Sequence, residues 1–463
     1  MRVFRTSILC APLAIAGGAA AQQPLHLNVE ANYAPFRAAA TAGDGDVLCL
    51  GDSLTFREDS YFPTFKTRMH NRYGDGGDGY QPLSFWTDAL LLGDGWTYGR
   101  VNADMFPYHG LDGFWSILAD NAPGEMWVTC EAARLRLCVL AGPGSGTARI
   151  TFPEFPGAAP VDIETASGET AVRAIAFEPP PGATRYILRG VWAPPAPQPQ
   201  PVPPAPRRDD MTVDRAPHPV LSGFGPLTFL GQIRESLQPG VRAHRAANGG
   251  WGTVNFLHRD WTFDAMVREI DPNLIVIMLG QNDSGLGLAE YQARLTTIVD
   301  RLRSDVPGAG IVLVSSYDSG IPQLAEVSQA MINVATSRGV GFINLYQGGG
   351  PRSFYASNGY LHEDGVHFSP AGGRYVANFI YDALESGGAS IGAPCNDIDF
   401  NNDELAPDNG DIQDFLAVFG GAPCSTEPPA GAGCDRLDFN RDGLFPDNAD
   451  IESFFRVFGG GSC

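Results

Sequence analysis

The sequence predicts an α/β protein in which helices cover both faces of a parallel sheet and an all-β region is inserted into the chain. Residues 47–50 and 274–279 are unbroken apolar runs, which is typical of strands buried on both faces. Amphipathic helices near 288–304 and 322–337 follow the second run, and alternating strands and helices indicate a parallel sheet. Between residues 85 and 240, short alternating runs punctuated by glycine and proline predict an all-β sandwich.

The first 21 residues predict a secretory signal peptide. Two arginines precede an apolar run, and the three alanines at 19–21 form a small-residue cleavage site. Cys10 would permit a lipoprotein anchor, but the bulky Leu9 before it argues against one. No later apolar run reaches the roughly 20 residues that a membrane span needs. We therefore expect a soluble exported protein that is secreted, periplasmic or held at the cell surface.

The charge is strongly negative, with a formal net charge of −21 at pH 7. Such a charge disfavours nucleic acid and anionic membrane surfaces as partners. The acidic residues are concentrated at the end of the chain, because residues 395–463 hold 14 Asp or Glu against three Arg. This tail therefore has a role of its own.

A serine follows the first buried strand. The Gly-Asp-Ser-Leu motif at 51–54 places Ser53 on a tight turn, before a helix predicted over about 60–72. Open α/β sheets bind ligands at the carboxyl ends of their strands. A hydroxyl there also lies near the free N–H groups of a helix, which favour developing negative charge. Taken alone, the motif is better interpreted as a plain turn without chemistry.

Two further strand ends offer hydrogen-bond donors. A strand candidate at 241–246 leads to Gly249, and the strand at 274–279 leads to a Gly-Gln-Asn-Asp motif that contains Asn282. A backbone N–H at the first site and a side-chain amide at the second can both point at a developing oxyanion. Parallel strands bring these two ends to the same edge of the sheet as Ser53.

A histidine with a nearby carboxylate precedes the last predicted helix. The Asp-Gly-Val-His motif at 364–367 comes just before Ser369 as N-cap and Pro370 at the first helical position. On a tight turn, Asp364 can fold back onto the imidazole of His367. Such a carboxylate fixes the tautomer of a catalytic histidine and stabilises the imidazolium.

In this order, the four motifs resemble the GDSL, or SGNH, hydrolase family over roughly 22–84 and 241–386. The resemblance implies a three-layer αβα, flavodoxin-like fold, with Ser53 as nucleophile, His367 as base and Asp364 orienting it. The oxyanion hole would consist of the Ser53 amide, the Gly249 amide and the Asn282 side chain. Gly250 and Gly252 are alternative candidates for the glycine donor, but Gly249 fits best by its distance from the strand. No cofactor is expected for catalysis.

A β module between the first two motifs is similar to the arrangement in O-acetylpeptidoglycan esterases and related polysaccharide deacetylases. In that resemblance the module is carbohydrate-binding-like, and exposed aromatic side chains form sugar platforms. Five tryptophans lie in or beside it: Trp86, Trp96, Trp115, Trp127 and Trp192. The alternative is that these side chains belong to the core of the sandwich.

Several stretches carry less specific predictions. The Gly-rich stretch at 73–80 is predicted to be a turn and not a phosphate cradle, because no strand leads into it and no lysine follows. The polyproline-type segment at 193–206 either ends the β region or forms a long loop inside it. Cys49 is predicted to be a core residue, while pairing of Cys130 with Cys138 is left open.

The tail contains a repeat with a period of 39 residues. Each copy places oxygen ligands at positions 1, 3 and 5, followed by Pro-Asp-Asn, a later aspartate and a short helix with an apolar face. This spacing is the calcium-loop pattern. In the first copy Glu404 stands where Gly443 supplies the turn in the second. The predicted ligands are Asp399, Asn401, Asp403, Asp408 and Asp411, then Asp438, Asn440, Asp442, Asp447 and Asp450.

The two copies resemble a dockerin-type domain that binds Ca²⁺. One pair of cysteines brackets each copy at the same interval, which makes Cys395, Cys424, Cys434 and Cys463 disulfide candidates. The resemblance implies calcium-dependent folding and docking to a cohesin-like or cell-surface partner. An acidic, solvated tail is the alternative.

These observations predict a secreted serine esterase that acts on O-acetyl groups of a polysaccharide or peptidoglycan. A lipase or arylesterase on small esters is the alternative enzyme, and a calcium-dependent glycan-binding surface protein is the non-catalytic one. The expected parts are the signal peptide (1–21), the two hydrolase parts (22–84 and 241–386), the β insert (85–240), a linker (387–394) and the dockerin-like repeats (395–463).

Overall fold

The computed structural model describes the following residues: 23–83, 89–92, 95–100, 109–119, 123–191, 227–388, 398–401, 407–422, 425, 439 and 448–459. The predicted signal peptide, the Pro-rich segment and nearly all of the predicted linker lie outside these ranges. So do all four candidate disulfide cysteines of the tail.

The strands of the described ranges are, in chain order, β1 (His26–Leu27), β2 (Asp44–Gly51), β3 (Asp75–Gly77), β4 (Gly79–Gln81), β5 (Ala89–Leu92), β6 (Trp96–Arg100), β7 (Phe114–Leu118), β8 (Glu125–Thr129), β9 (Arg134–Ala141), β10 (Thr147–Thr151), β11 (Val161–Glu164), β12 (Ala171–Phe177), β13 (Arg185–Val191), β14 (Leu227–Glu235), β15 (Gly240–Ala247), β16 (Leu274–Met278), β17 (Gly310–Val314) and β18 (Gly341–Ile343). The helices are α1 (Val29–Thr41), α2 (Ser53–Phe56), α3 (Tyr61–Tyr73), α4 (Thr253–Leu257), α5 (Trp261–Ile270), α6 (Leu288–Asp305), α7 (Leu324–Arg338), α8 (Leu345–Gly348), α9 (Arg352–Ser357), α10 (Pro370–Glu385), α11 (Asn409–Phe419) and α12 (Asn448–Phe458).

A seven-stranded sheet forms the α/β part, in the order β1-β18-β17-β16-β2-β15-β3. The strands from β18 to β3 pair in parallel, while the two-residue β1 is antiparallel to β18, which departs from the all-parallel expectation. Alternate residues of β2 face opposite layers: Leu48 and Leu50 pack with α5, α6 and α7, whereas Val47 and Cys49 pack with α1, α3 and α10. The mixed α/β fold is thus confirmed.

Helix α1 spans 13 residues and contains an internal proline. It continues through Pro35 because Tyr33 and Phe36 are fully buried against the sheet. Tertiary packing therefore outweighs the missing N–H of an internal proline.

The strands from β4 to β14 form two antiparallel sheets. One has the order β11-β10-β13-β8-β5; the other has the order β12-β9-β14-β7-β6, with β4 added on β14. They share a core that includes Val139, Leu188 and Phe229. The Pro-rich segment at 193–206 stands between β13 and β14 in the sequence and lies outside the described residues. The division of the chain into domains stays a prediction.

The Gly-rich stretch at 73–80 differs from the plain turn that the sequence predicts. It contains β3, which pairs with β15, and β4, which pairs with β14. Gly79 has a φ of +72°, and a Cβ there would collide with the carbonyl of Ala243. The glycines therefore allow the chain to pass closely between the two sheets.

The described residues of the tail form a small aromatic core around α11 and α12. Phe415 and Phe454 stack with ring centroids 4.0 Å apart, and Phe400 and Phe439 pack around them. Leu416 in α11 and Phe455 in α12 are 45% and 42% exposed. No helix in the part of the chain that the structure describes is long and apolar enough to cross a membrane.

Candidate active site

Ser53 follows the carboxyl end of β2, an inner strand of the seven-stranded sheet that lies between β16 and β15. Strand β2 ends at Gly51, and α2 begins at Ser53. The preceding Asp52 caps this short helix by accepting a hydrogen bond from the Leu54 N–H at 2.8 Å. Burial raises the pKa of Asp52 to about 7, against the opposing effect of the Leu54 N–H. The turn leaves Ser53 half-buried, while Asp52 and Leu54 on either side of it are buried.

Ser53 and His367 meet across the sheet edge. The Nε2 of His367 lies 2.9 Å from the Oγ of Ser53, and its Nδ1 lies 2.7 Å from the Oδ2 of Asp364. The structure thus brings together the three residues that the sequence singles out as nucleophile, base and orienting carboxylate. Their catalytic roles stay a prediction.

The carboxylate of Asp364 fixes the tautomer of the imidazole. The hydrogen bond to the His367 side chain, together with the backbone N–H groups of His367 and Val366, holds the pKa of Asp364 well below its usual value. An ionised carboxylate can only accept hydrogen bonds, so Nδ1 of His367 carries the proton. Nε2 is then the acceptor for the Ser53 hydroxyl, which is the arrangement a general base requires.

A narrow hairpin carries Asp364 and His367. The N–H of His362 donates to the carbonyl of His367 at 2.9 Å, and the Tyr317 hydroxyl donates to the carbonyl of Val366 at 2.7 Å. His362 also contacts the carboxylate of Asp59. Tyr317, His362 and Asp59 could not be predicted as supporting residues, because nothing in their local sequence pattern marks them. They hold the hairpin from two sides.

The loops that follow β15 and β16 flank the end of β2 that leads to Ser53. Ala247 at the end of β15 is in register with Gly51, and so is Met278 in β16, which places both strand ends beside the serine. The Asn282 Nδ2 donates to the carbonyl of Trp251 at 2.9 Å. The side chain of Asn282 is therefore anchored to the loop that contains the candidate glycines.

The three candidate glycines of this loop differ in their surroundings. Gly249 and Gly250 are exposed, and a Cβ on either would meet open space. On Gly252, a Cβ would lie 2.8 Å from the Oδ1 of Asp283. Asp283 is buried and accepts from the Thr253 N–H at 2.9 Å, which ties the loop to the end of β16. Gly249 as an oxyanion donor stays a prediction, while Gly252 is required by packing.

The described tryptophans of the β region have packing partners. Trp96 lies 5.7 Å from Phe229, and Trp115 meets His109 edge-on at 4.8 Å. Trp127 is half-buried, and its Nε1 donates to Glu125 at 3.0 Å. Trp86 and Trp192 lie outside the described ranges. A sugar platform stays a prediction.

Cys130 and Cys138, whose pairing was left open, are both buried free thiols.

Five of the ten predicted calcium ligands are described: Asp399, Asn401, Asp408, Asp411 and Asp450. The Asp411 carboxylate accepts the N–H of Asp408 at 2.8 Å as part of a capping box of α11. Burial, with added repulsion from Asp399 and Asp408, raises the pKa of Asp411 to about 6. Among the residues described, no three acidic, histidine or cysteine side chains are grouped closely enough to hold a metal ion.

The other predicted ligands, Asp403, Asp438, Asn440, Asp442 and Asp447, lie outside the described residues. The described donors are oxygen atoms, which is the type that Ca²⁺ takes. Calcium binding in the tail stays a prediction.

Residues 223–375 match the family model of the GDSL-like Lipase/Acylhydrolase family. This range contains Gly249, Asn282, Asp364 and His367, whereas Ser53 precedes it by 170 residues. No curated protein matches the chain. Only the fold brings Ser53 to the other four.

The fold is similar to that of a peptidoglycan O-acetylesterase. That structure is 16% identical, with a TM-score of 0.58, over 78% of this chain and 95% of the other. A lipase/acylhydrolase from Enterococcus faecalis is 21% identical, with a TM-score of 0.27, over 32% of this chain and 77% of the other. The likeness to the first structure shows a shared fold over most of this chain.

Proposed function

We propose that the protein is an exported serine esterase that removes O-acetyl groups from a polysaccharide or peptidoglycan. The observation that carries this proposal is the hydrogen-bonded chain from Ser53 through His367 to Asp364, with distances of 2.9 and 2.7 Å. A nucleophile, a base and an orienting group in this geometry are the parts that acyl transfer needs.

In the proposed reaction, the Ser53 Oγ attacks the ester carbonyl carbon and His367 Nε2 takes the serine proton. The tetrahedral intermediate then collapses, and the departing sugar oxygen takes that proton from His367. Water next attacks the acetyl-Ser53 ester while His367 accepts a proton from it. Collapse of this second intermediate releases acetate and returns the proton to Ser53.

The oxyanion of each intermediate would be stabilised by three donors at the sheet edge. They are the backbone N–H of Ser53, the backbone N–H of Gly249 and the side chain of Asn282. One hydrogen of the Asn282 amide is used by the Trp251 carbonyl, so the amide is oriented and its second hydrogen is available to substrate. Loss of one such donor typically costs about 10²–10³ in kcat.

An acetylated glycan is the substrate class we favour. The shared fold with a peptidoglycan O-acetylesterase, extending over the β region as well as the α/β part, supports this choice. The predicted signal peptide would deliver the enzyme to polymers outside the cytoplasm. Acetate release from acetylated xylan, peptidoglycan and chitin would identify the preferred polymer. Equal release by wild type and Ser53→Ala would refute the esterase assignment.

The same panel, extended by p-nitrophenyl esters of different acyl lengths, separates the competing functions. A lipase or arylesterase would prefer long acyl chains or small p-nitrophenyl esters over the polymers. A glycan-binding protein without catalysis would bind insoluble polymer equally well after Ser53→Ala and release no acetate from it.

For the tail, we propose calcium-dependent folding and docking to a cohesin-like or cell-surface partner. The repeated spacing of oxygen donors in the two copies supports this, because Ca²⁺ takes carboxylate and amide oxygens at such intervals. Titration of Ca²⁺ into protein from which a chelator has removed metal ions should then give saturable binding. The melting temperature should rise as Ca²⁺ binds. Unchanged melting with and without Ca²⁺ would count against it.

A further inference from the structure

A short segment of the β region lies directly against the loop that follows β15. We call residues 109–114 the bridging segment. The Nδ2 of Asn248 donates to the backbone carbonyl of Asp112 at 3.0 Å, and both residues are buried. Asn248 immediately precedes Gly249, so this bond attaches the start of the candidate oxyanion loop, residues 248–252, to the β region.

Arg259 forms a second attachment. Its guanidinium is buried and donates to the carbonyls of Leu111 and Gly110. It also lies 4.5 Å from the ring centroid of Trp251, whose carbonyl accepts the Asn282 amide. The bridging segment is thus connected through Arg259 to the residue that orients Asn282.

Further contacts fix the segment itself. His109 Nδ1 lies 2.6 Å from the Asp260 carboxylate, and the N–H of Gly110 donates to the Thr262 hydroxyl at 2.9 Å. At the other end, Phe114 stacks on Phe56 at 5.9 Å, in the helix that begins with Ser53. These bonds join the segment to elements on both sides of the candidate site.

We propose that the bridging segment positions the oxyanion loop, so that the β region is a working part of the hydrolytic site. The loop is held on one side by Asn282 and Asp283 and on the other by Asn248 and Arg259. Asn248 and Arg259 are positioning residues, since they act through the loop and not on substrate. This inference rests on the proposed esterase function.

The physical basis is the sensitivity of an oxyanion hole to geometry. Its donors stabilise the intermediate only when they are already aimed at the position of the oxyanion. A misplacement of about 1 Å can cost on the order of 10²-fold in rate. Gly249 and Gly250 have open space around them, so the loop depends on its attachments at either end for a fixed position.

The test uses the full chain with Asn248→Ala and Arg259→Met, and with Arg149→Gln as the matched control. Arg149 forms an exposed ion pair with Asp162 elsewhere in the β region. For p-nitrophenyl acetate we expect kcat of the two loop variants to fall by about tenfold or more, with KM little changed. The rate ratio between this ester and its thionoester analogue should also fall, because a misaligned hole no longer distinguishes oxygen from sulfur.

Amide hydrogen exchange of residues 249–252 provides a readout that does not depend on activity. We expect faster exchange in both loop variants and wild-type exchange in Arg149→Gln. Wild-type exchange and a wild-type ester-to-thionoester ratio in the loop variants would overturn the proposal, even if their melting temperatures fall. If the wild type lacks Ser53-dependent esterase activity, the proposed function fails, whereas the exchange result still decides whether the segment holds the loop.

Discussion

The Nε2 of His367 lies 2.9 Å from the Oγ of Ser53, although 314 positions of sequence and the whole β region separate them. The contact exists because β2 is an inner strand of the sheet and the hairpin before α10 returns to the carboxyl end of that strand. The following predictions concern the elements that create and support this contact.

Asp364→Asn should lower kcat by about 10³- to 10⁴-fold with little change in melting temperature. An amide at this position can donate to the imidazole, which favours the wrong tautomer. The side chain is 47% exposed, so its contribution to folding is small. The check is kcat for p-nitrophenyl acetate alongside thermal unfolding; a variant with near wild-type kcat would show that the carboxylate does not orient His367.

Tyr317→Phe should reduce both activity and stability. It leaves the Val366 carbonyl without the hydroxyl that now donates to it at 2.7 Å, at a cost of about 1–3 kcal/mol. Because Val366 adjoins His367, we expect a lower kcat as well. Tyr186→Phe is the matched control, since its buried hydroxyl contacts Gln232 in the β region. The control should lose stability but keep kcat; equal loss of kcat in both would contradict a specific role for Tyr317.

Gly252→Ala should be destabilising by about 1–3 kcal/mol and should also reduce kcat. The added methyl group would press on the Asp283 carboxylate, which links the oxyanion loop to the end of β16. Gly285→Ala is the control, because a Cβ there meets open space. Denaturant unfolding and kcat measure the two effects. Tolerance of the Gly252 change would show that the loop is not confined by Asp283.

The stability difference between wild type and Asp112→Asn should depend on pH. Burial raises the pKa of Asp112 to about 7. In the unfolded chain this carboxyl has its ordinary pKa near 4, so folding favours the protonated form and wild-type stability falls as pH rises from about 4 to 7. An asparagine oxygen can still accept from the Tyr80 hydroxyl and the Phe114 N–H. Melting temperatures between pH 4.5 and 8 should therefore diverge in favour of the variant; a constant difference would exclude the titration.

The sequence was sufficient to predict the α/β fold and the positions of Ser53, Asn282, Asp364 and His367 at strand or helix ends. Each of these residues follows or precedes a strong local signal, such as an apolar run or an N-cap. The residues that support this site could not be predicted in the same way. Tyr317, Asp59 and His362 support the hairpin through contacts between residues far apart in the chain, which no local pattern encodes.

The roles of several glycines also depend on residues that are distant in the sequence. Gly249 fits the sequence pattern by its distance from the strand, but the structural demand at Gly252 depends on the position of Asp283, 31 residues later. Likewise, the stretch at 73–80 looks like a turn until β14 and β15 are present to pair with it. The bridging segment could not be predicted, since its main bonds use backbone carbonyls.

The most direct measurement of the central claim is covalent labelling with a fluorophosphonate, followed by peptide mass spectrometry. This reagent forms a stable adduct with a serine whose hydroxyl is activated by a neighbouring base. We expect one adduct on Ser53 in the wild type and a strongly reduced labelling rate in His367→Ala. Labelling of a different serine, or equal labelling of Ser53 in both proteins, would contradict the account.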